Sequence, residues 1–118
     1  MDWPGQIDAA REIEIETRAN HDAPGHRTTI WAVVDGDDVF VRSYRGEQGR
    51  WYREISEHPD AVVDVDGASQ PVRAVPATDS ESVRRASDGY SRKYADSSVV
   101  ESMLIDEVLP TTLRLEPR

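Results

Sequence analysis

The chain has no cysteine, one lysine and one phenylalanine in 118 residues. Without cysteine there is no disulfide framework, no thiol nucleophile, no Cys-ligated zinc and no iron–sulfur cluster. Long apolar runs are missing too: the longest covers residues 30–34, far short of a membrane span. The opening MDWPGQIDAAREIEIE has no apolar stretch between a basic start and a cleavage site. It does not read as a signal peptide, so a cytoplasmic protein is expected. Positive charge is scarce: 14 Lys and Arg stand against 23 Asp and Glu, a net charge of -9 with a pI of about 4.7. That excludes a general nucleic-acid binder, which needs a basic face to neutralise phosphates. It also argues against binding to an anionic membrane surface.

What remains is one domain over residues 1–118, of 13.3 kDa. A chain of this mass buries roughly two-thirds of its unfolded surface, enough for a core without metals or cross-links. It is too small to enclose a large ligand, so a sizeable cofactor must sit in a surface cleft or between two copies. Of the 14 basic residues only Lys93 is not arginine. With 31% charged residues and a mean hydropathy of -0.66, the composition fits a salt-adapted or high-GC proteome.

The pattern along the chain is strand-rich. A short helix around residues 4–10, with Pro4 in its first turn, precedes a strand at 12–18. There Ile13, Ile15 and Thr17 alternate with charged residues, the period of a half-buried strand. A polar loop at 19–26 leads to a β-branched strand at 27–35. Asp35-Gly36 then signals a hairpin into a strand at 38–44. Residues 50–58 switch to helical spacing until Pro59 ends the helix. Strands at 61–66 and 69–77 follow, joined at Gly67. Pro71 and Pro76 make the second of these read as an edge or bulged strand. A helix over 79–94 lines up Val83, Ala86, Tyr90 and Tyr94, and Gly89 offers a place for a break. Ser98-x-x-Glu101 reads as a capping box opening a further helix, and a strand at 111–116 closes the chain. Six short antiparallel strands with one apolar face each are best satisfied by a small closed or split barrel of mainly β, α+β class, with short flanking helices. Its interior is filled by side chains, which moves a ligand to the outer wall.

Residues 42–53, RSYRGEQGRWYR, are the most informative stretch. They carry Arg42, Arg45, Arg50 and Arg53 against Glu47 alone. They end a strand, pass Gly46 and Gly49, and open a helix. Helix N-termini offer free N–H groups to anions, and arginine adds a planar fork for phosphate. The alternative is a solvated helix entrance whose arginines pair with the chain's many carboxylates. Other groupings explain themselves more simply. His21, Asp22 and His26 share a polar loop without regular ligand spacing, Asp35, Asp37 and Asp38 suit a turn, and His58 suits a helix C-terminus, so no metal site is expected. Tyr90 and Tyr94 read as core or interface, Lys93 as a solvated lysine, and Trp51 and Tyr52 as either core or a ring-stacking pair. Ser43 has no triad partners at arguable spacing.

The run from Thr29 to Gly67, TIWAVVDGDDVFVRSYRGEQGRWYREISEHPDAVVDVDG, resembles an uncharacterised microbial family of the flavin-binding split-barrel superfamily. Deazaflavin-dependent nitroreductases and pyridoxamine-phosphate-oxidase-like proteins are its relatives. Ser43, Gly46, Trp51, Tyr52 and Pro59 carry the likeness, together with Tyr90-Ser-Arg-Lys-Tyr94 and residues 112–117. The resemblance implies a six-stranded antiparallel split barrel and a homodimer holding FMN or a deazaflavin at the subunit interface. It implies nitroreductase-like oxidoreductase chemistry carried by the cofactor, with no catalytic acid or nucleophile required. It assigns Arg42, Ser43, Arg45, Gly46, Arg50 and Trp51 to the phosphate side. Arg27, Thr28 and Thr29 fall on the ring side. The turn Gly25-His26-Arg27-Thr28-Thr29 departs from the nitroreductases' Gly-Arg-x-Ser-Gly. A module binding a small ligand or anion on the same fold, without redox chemistry or any flavin, therefore stands as the alternative, beside a purely structural or interaction domain.

Overall fold

The computed structural model describes residues 3–118. These form α1 (Trp3–Ala9), β1 (Ile13–Thr17), β2 (His26–Ile30), β3 (Ala32–Asp35), β4 (Asp38–Val41), α2 (Arg50–Glu57), β5 (Asp60–Val65), β6 (Ala68–Pro76), α3 (Ser80–Lys93) and β7 (Leu113–Pro117). All strands pair antiparallel in one sheet of order β2-β1-β5-β6-β7-β4-β3. The alternation seen in the sequence sets the faces. Ile13, Ile15 and Thr17 of β1 are buried, as are Ala61, Val63 and Val65 of β5. These side chains meet Val39, Val41, Val72, Leu113 and Leu115 in the main core.

The topology forces the sheet to close. Its two outer strands, β2 and β3, are joined by a single residue, Trp31. One residue spans only about 3.8 Å between neighbouring Cα atoms, so the two edges must meet. The sheet therefore curls into a barrel that is split at Trp31. The expected strand at 27–35 is this same segment, divided where it passes from one edge to the other, which accounts for seven strands in place of six.

A split leaves backbone acceptors without ladder partners, and α3 supplies them. The Tyr90 hydroxyl donates to Trp31 O at 3.0 Å. Lys93 Nζ donates to Ala32 O at 2.7 Å and to Ile7 O at 3.0 Å, and Tyr94 Oη donates to Arg11 O at 2.9 Å. Lys93 is thus a half-buried staple rather than the solvated lysine expected, and burial lowers its pKa to about 8. The second core, Val33, Phe40, Ala77, Ala86, Tyr90, Tyr94 and Met103, fills the space between α3 and the barrel wall.

Two other expectations change. β6 is not an edge strand, since β5 and β7 flank it. Its prolines are tolerated because Pro71 lies just outside the ladder with β7 and Pro76 ends it. The capping box at Ser98 does not form. Residues 95–112 make 3-10 turns at Val100–Met103 and Leu109–Thr111 instead, and the Ser97 hydroxyl accepts the Val99 N–H. No helix among the described residues is long and apolar enough to cross a membrane.

Candidate functional site

β4 ends at Val41, and the chain there leaves the sheet. The Ser43 N–H goes to Thr111 Oγ1 at 3.0 Å rather than to a strand neighbour. Gly46, at φ +69°, then turns the chain by donating its N–H to Ser43 O at 2.9 Å. Gly49 precedes α2 and, having no side chain, leaves the helix start without a side-chain cap; no acidic residue stands in the first turn. The amphipathic α2 buries Trp51, Glu54 and Ile55 on the barrel. Thr17 Oγ1 donates to Glu54 Oε1 at 2.8 Å, and His26 Nδ1 lies 2.8 Å from Glu54 Oε2. This carboxylate therefore ties α2 to β1 and β2.

Between this corner, β2 and the irregular segment 95–112 lies a cleft of about 520 Å³, within the usual range for a small-molecule site. Its lining includes Thr28, Thr29, Ile30 and Trp31 on one side, and Arg42, Ser43, Arg45, Arg50 and Trp51 on the other. Met103, Val99 and Tyr44 complete an apolar portion, and Glu12 is the only carboxylate residue in the lining. Tyr44 and Val99 are exposed.

The cleft is cationic within an acidic protein. Arg42, Arg45 and Arg50 have no carboxylate partner among the described residues. Of the other ten arginines, eight, Arg27 and Arg85 among them, each hold one, and Arg53 and Arg92 do not. The helix-entrance alternative, with its arginines neutralised by the chain's own acids, does not describe Arg45 and Arg50. Ser43 adds a second sign of a missing partner. Its hydroxyl is fully buried and makes no hydrogen bond, although the residue borders the cleft. A Cβ on Gly49 would stand 2.6 Å from Ser43 Oγ, so the glycine keeps the space in front of that hydroxyl open.

The residues singled out from sequence divide three ways. Thr28, Thr29, Ser43, Arg45, Arg50 and Trp51 come together around the cleft. Arg42 borders it but is turned to structural use. Its guanidinium is buried and donates to Thr112 Oγ1 (2.8 Å), Met103 O (2.9 Å) and Val83 O (2.9 Å), and lies over the Tyr90 ring at 5.6 Å. Burial holds its pKa below the ordinary arginine value. Two expected residues do not line the cleft. Arg27 is held on the outer wall by Glu14 and Glu16 of the neighbouring β1 and by Asp64 of β5 beyond it, because the pleat turns it to that face. Gly46 is buried beneath the turn it makes, with Glu107 O behind it. Sequence reasoning missed Glu12, Ile30, Trp31, Tyr44, Val99 and Met103. The last two belong to the stretch read as a further helix, where they appear as its apolar stripe, and Trp31 is hidden inside an otherwise regular strand pattern.

A family model described as "Uncharacterized protein conserved in bacteria (DUF2255)" matches residues 5–115. The chain belongs to that family. No curated protein matches the DUF2255 chain. Among solved structures it is similar to the conserved hypothetical protein Rv2991 from Mycobacterium tuberculosis, with a TM-score of 0.75, 15% identity, and 100% of this chain and 81% of that one covered. The heme storage protein HutZ from Vibrio cholerae gives 0.73 at 12% identity, covering 97% and 86%. An F420-H2 dependent reductase gives 0.71 at 14%, covering 90% and 94%. At these identities the likeness establishes the fold, and the DUF2255 chain is an α+β split barrel.

Proposed function

We propose that this DUF2255 protein is a homodimeric ligand-binding split barrel that holds a flavin-type cofactor, FMN or a deazaflavin, in the cleft and supports an oxidoreductase reaction. The observation that carries the reading is the pair of unpartnered arginines, Arg45 and Arg50, beside the orphaned Ser43 hydroxyl, in a chain of net charge -9. A buried hydroxyl without a partner is costly unless a ligand completes it, and the exposed Arg45 and Arg50, held by no carboxylate, are free to receive an anion. An anionic group satisfies both at once, and the uncapped start of α2 adds its N–H groups.

Arg45 and Arg50 bind and orient the phosphate, Ser43 donates to it, and Gly49 leaves room for it. Thr28 and Thr29 offer hydroxyls along the opposite wall. Ile30, Trp51 and Met103 exclude water. The cofactor, when bound, supplies the hydride chemistry. The likeness to an F420-H2 dependent reductase supports this choice. The heme named for HutZ has less support here, because no histidine lines the cleft to serve as an axial ligand.

The test is titration of the purified protein with FMN, with the deazaflavin F420 and with inorganic pyrophosphate at low and moderate salt. We expect saturable binding of one flavin, weakened about tenfold or more in an Arg45→Ala/Arg50→Ala variant. Binding of pyrophosphate without either flavin would favour the anion-binding alternative. Binding of none of the three would remove the ligand reading and leave only the barrel.

A further inference from the structure

We propose that the indole of Trp31 is a stacking platform that selects a planar heteroaromatic ring within the cleft. The proposal rests on reading the cleft as a ligand site, but it assigns a recognition element separate from the cationic end.

Trp31 is the one residue between β2 and β3, where the chain crosses the split of the barrel. It has no ladder partner there, so the pleat does not fix its side chain. The ring is fixed from behind instead. Tyr94, fully buried, lies parallel to the indole with centroids 3.9 Å apart and 3° between the planes. Tyr94 is held in turn by its hydroxyl bond to Arg11 O and by Tyr90, whose ring centroid is 6.0 Å away. The backbone of Trp31 is pinned by Tyr90 Oη on its carbonyl. An indole set this way loses little freedom when a ligand arrives.

Tyr94 covers one face of the indole. The Arg11 guanidinium lies 4.8 Å from the Tyr94 centroid and 5.7 Å from the Trp31 centroid. A cation beyond the far face of Tyr94 would be more distant from Trp31 by a whole ring spacing, so Arg11 sits at the shared edge of the stack. No other ring or cation among the described residues is recorded against the indole. The half-buried Trp31 borders the cleft beside Val99 and Met103. A rigid indole with one face already stacked suits a flat, electron-poor ring, which gains dispersion and quadrupole attraction there. Arg45 and Arg50 select for charge, and Trp31 selects for flatness. The ring comes from the cofactor or from a nitroaromatic-type acceptor, two sources with the same chemistry.

The experiment uses three probes on the full chain by equilibrium dialysis: lumichrome, a flavin ring without phosphate; pyrophosphate, charge without a ring; and FMN, both together. A fourth arm adds 4-nitrobenzyl alcohol to FMN-loaded protein. Trp31→Leu is expected to weaken ring-bearing probes about tenfold, to leave pyrophosphate unchanged, and to be largely rescued by Trp31→Phe. Losses for lumichrome and FMN identify the ring as the cofactor's. A loss confined to the nitroaromatic identifies it as the acceptor's. Should Trp31→Leu not fold, the indole N–H resonance of Trp31, assigned with Trp31→Phe, is expected to move with lumichrome and not with pyrophosphate. An unmoved resonance, or equal affinities for every ring in the folded variants, overturns the proposal. So does wild-type protein that binds pyrophosphate but no ring, a result that leaves the anion site standing. Failure of all probes removes both.

Discussion

Arg42 and Ser43 are chain neighbours with opposite relations to the cleft. Arg42 spends three donors on interior oxygens of α3 and the 95–112 segment, so removing it strands three acceptors. Ser43 leaves its hydroxyl unbonded in the interior, so removing that hydroxyl relieves a cost. We expect Arg42→Met to destabilise the fold by about 3 kcal/mol or more. Ser43→Ala should be neutral or stabilising by up to about 1 kcal/mol while weakening anion binding. Urea denaturation read alongside ligand titration separates the two. A clearly destabilised Ser43→Ala with unchanged binding would make this serine a structural residue. The sequence could group these positions but not sort them. Alternation through the expected strand at 38–44 puts Arg42 on the face of Phe40, and the structure keeps it there, against Tyr90 and Val83 of α3. That α3 covers this face is not visible in the sequence.

At the scale of elements, α3 closes the split that the barrel topology creates. Its helical period was legible in the sequence, because Ala86 and Tyr90 recur on a buried face. What the period did not show was the destination of the polar ends, since the acceptors on Trp31 and Ala32 exist only once the sheet has curled. Gly89 is a case of the same kind. It reads as a weak point, yet the helix runs through it unbroken, and a Cβ there would lie 3.0 Å from Val33. Gly89→Ala should therefore destabilise the protein in thermal melts, although helix propensity alone would favour it by about 1 kcal/mol. The titrating groups on this helix give an alkaline signature. Burial favours the neutral amine of Lys93, whose pKa falls from 10.5 to about 8. Between those values the unfolded chain binds more protons, so stability rises with pH. Burial has the reverse effect on the phenols, raising Tyr94 from 10.0 to about 12 and Tyr90 further. Above pH 10 the unfolded chain binds fewer protons and stability falls. Denaturation midpoints should rise from about pH 8 and turn over near pH 10, and Lys93→Met should abolish the rise. A wild-type profile that only falls across this range would contradict that account of α3. The segment 95–112 was the least legible, because 3-10 turns carry no sustained period and its side chains are fixed by partners far away in sequence.

For the whole molecule, charge and apolar surface pull in different directions. The accessible surface is 6450 Å², close to the roughly 6,500 Å² expected for a compact monomer of this mass. Yet Tyr44 is 63% exposed and Val99 49%, and both stand at the cleft, where a second copy would cover them and enclose the ligand. Each copy carries a net charge of -9, so association must overcome repulsion that salt screens. An anionic ligand approaching Arg45 and Arg50 is attracted, and salt screens that attraction instead. Dimerisation should therefore strengthen from 10 mM to 300 mM salt while intrinsic anion affinity weakens, concentrations chosen to span Debye lengths of about 30 Å to about 6 Å. Tyr44→Asp and Val99→Asp should each yield monomers in light scattering and lower flavin affinity, with the fold retained by circular dichroism. The opposing salt trends make the assignment stringent. If dimerisation weakened with salt in step with ligand binding, ion pairs rather than this apolar rim would hold the copies together. The cleft would then have to function on a single chain.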